Sequence, residues 1–146
     1  MVDPRAKGAE GERQVRDLLK GHTGLAFERV PMSGALEYMK GDIFIPNIHN
    51  NYCIEVKFYK DSHFNDKIIS TTSNMFIKWW EQTTSQAKKA GAKPILFFKY
   101  NRSKIFVAQR DKPEHVEKWM YVNHLDCYVC LAHDWLIVEK PSFING

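Results

Sequence analysis

Three charged residues stand inside runs that otherwise read as buried strands. Asp42 opens the segment "DIFIP", and Glu55 and Lys57 interrupt "YCIEVKFYK". Residues two apart on a strand share a face, so Glu55 and Lys57 point one way while Ile54, Val56 and Phe58 point the other way, into a core. Pro46 closes the first segment and the turn-rich "NIHNN" follows it, which predicts a hairpin able to bring Asp42 close to Glu55. Two carboxylates held together repel and are hard to desolvate. A hard divalent cation removes both difficulties, and Mg²⁺ favours one or two carboxylates completed by water and phosphate oxygens. A lysine beside them can orient a water and meet negative charge building on phosphorus. An aspartate followed by Glu-X-Lys is thus equipped to hydrolyse a phosphodiester. The competing reading is an exposed hairpin face with a plain Glu–Lys pair, since Glu-X-Lys alone is common.

These side chains need elements to position them. "AKGAEGERQVRDLLKGH" reads as a helix with Val15, Leu18 and Leu19 as its apolar stripe and Gly21 where a helix would stop. At about 100° per residue the stripe centres some 65° from Glu12 and some 135° from Glu10, so Glu12 borders the buried face and can reach the sheet while Glu10 looks at solvent. The alternative for Glu12 is a flank residue extending to water. "MFIKWWEQTTSQAKKAG" is a second helix ended by Gly91. Its Gln82 and Gln86 are four apart and share a face; Gln86 is the better candidate to hydrogen-bond to the site, and Gln82 the better fit to a solvated face.

"LAFERVP" reads as a short strand, "KPILFFKY" and "KIFVAQR" as strands joined by a turn at Asn101–Ser103, and residues 61–74 as a long polar loop. Beyond them the pattern predicts a short helix near Pro113–Trp119, a strand near Cys127–Leu131 and a tail. The order points to one mixed α/β domain spanning residues 1–146, a central sheet flanked by helices.

Bulk properties agree with this. The chain has 146 residues, 44% hydrophobic and 13% aromatic, a globular composition with a net charge of +4. That surplus is compatible with a polyanionic partner and is weak evidence for one. Three cysteines argue against a disulfide framework and for a reducing compartment. Residues 1–20 are charged throughout, unlike a signal peptide, and no apolar run approaches the roughly 20 residues that span a bilayer. The expectation is a cytoplasmic protein without a membrane partner, or one made in a host cytoplasm. His124, Cys127, Cys130 and His133 superficially suggest zinc, but the segment is short for a tetrahedral site, and on a strand Cys127 and Cys130 face opposite ways. Phe97 is expected in the core, one of the adjacent Trp79 and Trp80 at a dimer contact, and the loop with His63, Asn65 and Lys67 as a DNA-contacting flap. His49 reads as a surface residue.

Taken together, "KGAEGERQVRDLL", "RVPMSGA", "GDIFI" and "YCIEVK" resemble, over residues 7–60, the archaeal-type (Hjc-like) Holliday junction resolvases of the PD-(D/E)XK nuclease superfamily. The helix "WWEQTTSQAKKAGAKPILFFK" is similar to that of phage-encoded nucleases of the same superfamily. The resemblance implies a restriction-endonuclease-like α/β core. It implies that Asp42, Glu55 and the Val56 carbonyl hold Mg²⁺, for which Mn²⁺ would substitute, with Glu12 at the edge of the site and Lys57 as the catalytic lysine. Ser33 matches a serine that contributes to cleavage, and Lys7, Arg13 and Arg29 fall where basic residues lie near the phosphate backbone. The family is homodimeric and cuts four-way DNA junctions with paired nicks. This chain departs from the pattern in having Gly41 where a proline precedes the aspartate, and in the stretch after Lys60. Two other functions compete: the same catalytic fold acting on other DNA, restriction-like or as a general phage nuclease, and a non-catalytic DNA-binding module. The last is disfavoured because Glu12, Asp42, Glu55 and Lys57 are all present.

Overall fold

The computed structural model describes residues 4–31 and 41–145, without the side chains of residues 4–7. Its frame is a seven-stranded sheet, with strands β1 (Glu28–Arg29), β2 (Ile43–Phe44), β3 (Tyr52–Phe58), β4 (Lys93–Lys99), β5 (Phe106–Gln109), β6 (Met120–Val122) and β7 (Cys127–Leu131) in the spatial order β1-β2-β3-β4-β5-β7-β6. β2 and β3 pair antiparallel, the expected hairpin, with Ile43 opposite Ile54. β3 and β4 pair parallel from Tyr52↔Lys93 to Phe58↔Lys99. Parallel neighbours need a crossover, which is supplied by a one-turn helix α2 (Lys67–Ser70) and a long helix α3 (Met75–Ala90).

α3 starts where Asn74 Oδ1 accepts the Ile77 N–H at 2.9 Å and stops where Gly91 takes φ +66°. α1 (Pro4–Thr23) runs past Gly21; Gly24, at φ +72°, is the left-handed residue that follows it. The two helices cover opposite faces of the sheet. On the α1 face Val15, Leu19, Ile54, Val56, Ile95 and Phe97 form one apolar cluster, and on the α3 face Phe76, Trp80, Leu96, Phe98 and Val129 form another. β3 and β4 are therefore covered on both sides, as strands of a parallel pair are.

Four expectations need correction. No helix forms near Pro113–Trp119; the Val116 N–H, which a helix would use, is taken by the Glu139 carboxylate at 2.8 Å, with His115 N–H on the same oxygen. The "tail" is structured: a short α4 (Ala132–Asp134) and a π-helical turn (Trp135–Glu139) bury Trp135 and Leu136, with Phe143, against the α1 face. Residues 61–74 are not merely a polar loop, because α2 buries Ile68 and its carbonyl bonds His124 Nε2 at 2.9 Å. Trp79 and Trp80 are both buried, so neither is a surface left for a dimer contact. Both join the one apolar cluster on the α3 face: Trp80 donates to the Leu125 carbonyl at 2.9 Å, and Trp79 packs on Tyr59 and His63. Phe97 is in the core and His49 is exposed, as expected.

Candidate active site

The site forms where β2 leaves β3. Asp42 N–H still bonds the Ile54 carbonyl at 2.7 Å, but the next inward N–H on that edge, Val56, donates at 2.7 Å to the Asp42 carboxylate. The Asp42 side chain thus takes a ladder position that the strand has vacated, which fixes its orientation beside Glu55. The Val56 carbonyl lies on the same edge as its N–H.

Glu55 is 2% exposed. It lies opposite Leu96 in the parallel ladder, on the face covered by α3, so this is not an exposed hairpin face. Burial first, then the Asp42 charge and a hydrogen bond to that carboxylate, push Glu55 up to about 9, while Lys57 pulls weakly the other way. At neutral pH Glu55 therefore keeps its proton. Glu12 is also raised, by burial and by Asp42, with Arg29 and Lys57 opposing. Its Oε1 accepts from Arg29 Nε at 3.0 Å, and both side chains are largely covered. Lys57 lies two residues beyond Glu55, half-buried on the same face. Glu12, Arg29, Asp42, Glu55 and Lys57 thus interact as one group. The reach of Glu12 depends on Gly11, which is buried against Phe58: a Cβ there would lie 2.8 Å from the Phe58 ring.

The remaining candidates fall in different places. Arg13 is exposed and pairs with Glu10 at 3.7 Å, on the outer side of α1. The Gln86 side chain reaches the site, its Oε1 accepting the backbone Gly41 N–H at 2.9 Å, and Gln82 is exposed. Ser33 and the Lys7 side chain lie outside the described residues. Cys127 and Cys130 belong to clusters on opposite faces of the sheet, and burial pushes both thiols up to about 12. His124 is engaged with Ile68 and His133 packs on His22.

A divalent cation fits the donor set. A buried carboxylate raised by burial and by the charge of the carboxylate beside it is the arrangement a cation would relieve. Among the described residues no three histidine, cysteine or acidic groups gather as an all-protein cage; a magnesium-type ion needs only one or two carboxylates, with water and phosphate oxygens completing its shell.

A sequence profile of the family described as "phage putative PDDEXK endonuclease" matches residues 3–129. The chain belongs to this family. It is thus a PDDEXK nuclease, a class that generally uses divalent metal ions and acts on DNA. Protein D14 of Escherichia phage T5 is 38% identical over 130 residues, which cover 85% of this chain and 81% of that protein. The structure is also similar to that of Hjc, a Holliday junction resolvase of the archaeal hyperthermophile Archaeoglobus fulgidus, with a TM-score of 0.47 and 20% identity over 90% of this chain and 93% of that one. Among the described residues no helix is long and apolar enough to cross a membrane.

For a PDDEXK protein, Gly41 in the proline position has a local reason. Its φ is +87°, which proline cannot adopt, and its N–H, which proline lacks, is the donor to Gln86. A side chain there would also place Cβ 2.7 Å from the Ile54 carbonyl. The motif has kept the aspartate and changed how the preceding residue is held. The sequence points to Gln86 as a hydrogen-bonding residue of the site but not to Gly41 as its partner, and it gives no sign of the close Gly11–Phe58 approach, since both depend on tertiary contacts.

Proposed function

We propose that this nuclease is a Mg²⁺-dependent, structure-selective endodeoxyribonuclease that resolves four-way junctions by paired phosphodiester hydrolysis, acting as a homodimer. The observation that carries the reading is the placement of the Asp42 carboxylate, held by the Val56 N–H at 2.7 Å, beside the buried Glu55 at the β2–β3 fork, with Lys57 on the face of Glu55. In this reading Asp42, Glu55 and the Val56 carbonyl hold the cation, with Glu12 at the edge of the site. Bound there, Mg²⁺ or Mn²⁺ supplies charge neutralisation and a more acidic water. The Val56 N–H holds the Asp42 carboxylate in one orientation. Lys57 Nζ positions the attacking water and meets the charge that develops on the phosphoryl oxygens. Arg29 orients Glu12 through their ion pair. Gln86 acts as a positioning residue through Gly41. Lys7, Arg13 and Ser33 are assigned to the DNA backbone, and Ser33 also to cleavage. A two-fold dimer would present two sites to the two symmetric scissile phosphates of a junction.

The test uses an immobile four-way junction, a Y fork and a linear duplex, each with and without Mg²⁺. The expected result is Mg²⁺-dependent cutting with the junction preferred, abolished in Asp42→Asn and Lys57→Ala while DNA binding persists. Equal rates on all three DNAs would favour a general nuclease instead. Full activity in both variants would overturn the site assignment.

A further inference from the structure

The row of side chains that carries Glu55 and Lys57 does not end at Lys57. Tyr59 N–H bonds the Lys99 carbonyl at 2.9 Å, so the parallel ladder continues one step past β3. Alternation places the Tyr59 side chain on the Glu55–Lys57 face, about 7 Å beyond Lys57. Contact with Trp79 of α3 confirms that side: the two rings are 4.9 Å apart. His63 closes the group edge-on, 5.7 Å from Tyr59 and 5.3 Å from Trp79. Asn74, the residue that caps α3, also donates to the His63 carbonyl at 3.0 Å, tying the segment down. Trp79 is buried, whereas Tyr59 is 38% exposed.

The result is a partly exposed aromatic ring packed on Trp79 and His63, one strand repeat from the lysine proposed to face the scissile phosphate. A fixed aromatic surface loses little entropy on binding and accepts any base, because every base has a π-face. In a continuous duplex both faces of each base are covered by neighbours. Only a nucleotide at a branch, nick or end offers a free face.

We propose that Tyr59, braced by Trp79 and His63, is a stacking platform for an unstacked base next to the scissile phosphate, and that it favours branched over continuous DNA without reading sequence. This rests on the assignment of Glu55 and Lys57 to cleavage. It adds a residue that selects the substrate.

The test measures binding of a four-way junction, a Y fork and a linear duplex without divalent cation, so that it does not depend on cutting. Tyr59→Phe retains the ring and should behave as the unmodified protein. Tyr59→Leu retains apolar bulk against Trp79 and should lose about tenfold in affinity for both branched DNAs with little change on duplex. Replacing the nucleotides flanking the cut one at a time by abasic sites should cost the unmodified protein a similar factor at one position. Tyr59→Leu should lose nothing further on that DNA, the coupling expected of two groups in contact. Junction affinity unchanged in Tyr59→Leu, or full additivity of the two losses at every position, would overturn the proposal. If additivity is found while Lys57→Ala is inactive, only the stacking platform fails. If Lys57→Ala and Asp42→Asn remain active, the catalytic reading fails.

Discussion

The proton held by Glu55 makes a prediction that needs no substrate. Glu55 is held at about 9 in the folded chain against 4.5 as its ordinary value. Between those values the native state keeps a proton that the unfolded chain has released. Raising the pH therefore favours unfolding, and the Glu55 contribution to stability falls by about 1.4 kcal/mol per pH unit throughout the window. From about pH 6 to about pH 8 that is a loss of about 3 kcal/mol, a sizeable part of a small domain's stability. Glu12, also raised, adds in the same direction. Glu55→Gln has no proton to release, so the slope from this position should vanish and the variant should become the more stable protein as pH rises. The assay is urea unfolding of both proteins in EDTA at several pH values. The quantity to read is the change in their stability difference. A cation binds the deprotonated carboxylate, so its binding should expel about one proton near neutral pH and tighten about tenfold per pH unit in the same window. Stability curves for the two proteins that run parallel from about pH 6 to about pH 8 would refute the reasoning.

Three further outcomes follow from contacts around the site. Gly41→Ala puts a side chain at φ +87° and 2.7 Å from the Ile54 carbonyl; it should cost about 1–3 kcal/mol in urea unfolding and reduce cleavage beyond the loss of folded protein, because Asp42 is next in the chain. Gln86→Leu strands the Gly41 N–H, which should cost about 1–3 kcal/mol and raise the cation concentration needed for half-maximal activity, while Gln86→Glu, still able to accept that N–H, should restore both. Gly11→Ala forces α1 away from Phe58 and should destabilise by about 1–3 kcal/mol despite the better helix propensity of alanine; combining it with Phe58→Leu should be less harmful than the two losses summed, read by thermal unfolding.

Much of the frame was legible because its signals are local. Period-two alternation marked β3 and Gly91 marked the end of α3, both within a few residues. The parts that were illegible depend on partners far along the chain. Residues 113–119 contain enough charged and apolar residues to read as a helix, but Glu139 takes the N–H groups of His115 and Val116. The segment after Leu131 reads as a tail until Trp135 and Phe143 are seen to cover the α1 face of the sheet. Adjacent tryptophans look incompatible with one core, yet both fit the α3-face cluster, Trp80 against Leu125 and Trp79 against Tyr59.

The acids of the site were legible for a different reason. Asp42, Glu55 and Lys57 are costly in apolar strands, and residues with such a cost are conspicuous. What the sequence could not convey is how little of the arrangement depends on them alone. The Asp42 carboxylate is aimed by a backbone N–H of β3, its chain entry by a glycine conformation, and that glycine by a glutamine 45 residues away on α3. Gln86 and Gly41 each stand out in the sequence, the one by its helix face and the other by its place before Asp42, but nothing in either position shows that they are partners. A proline before the aspartate would set φ near −65° by its own ring. Here the same position is held at φ +87° by a tertiary hydrogen bond and the packing of α3. The geometry of the proposed site is therefore coupled to the docking of α3, the helix whose Trp79 also packs on Tyr59. A perturbation that shifts α3 should disturb Asp42 and Tyr59 together, although one precedes β2 and the other follows β3.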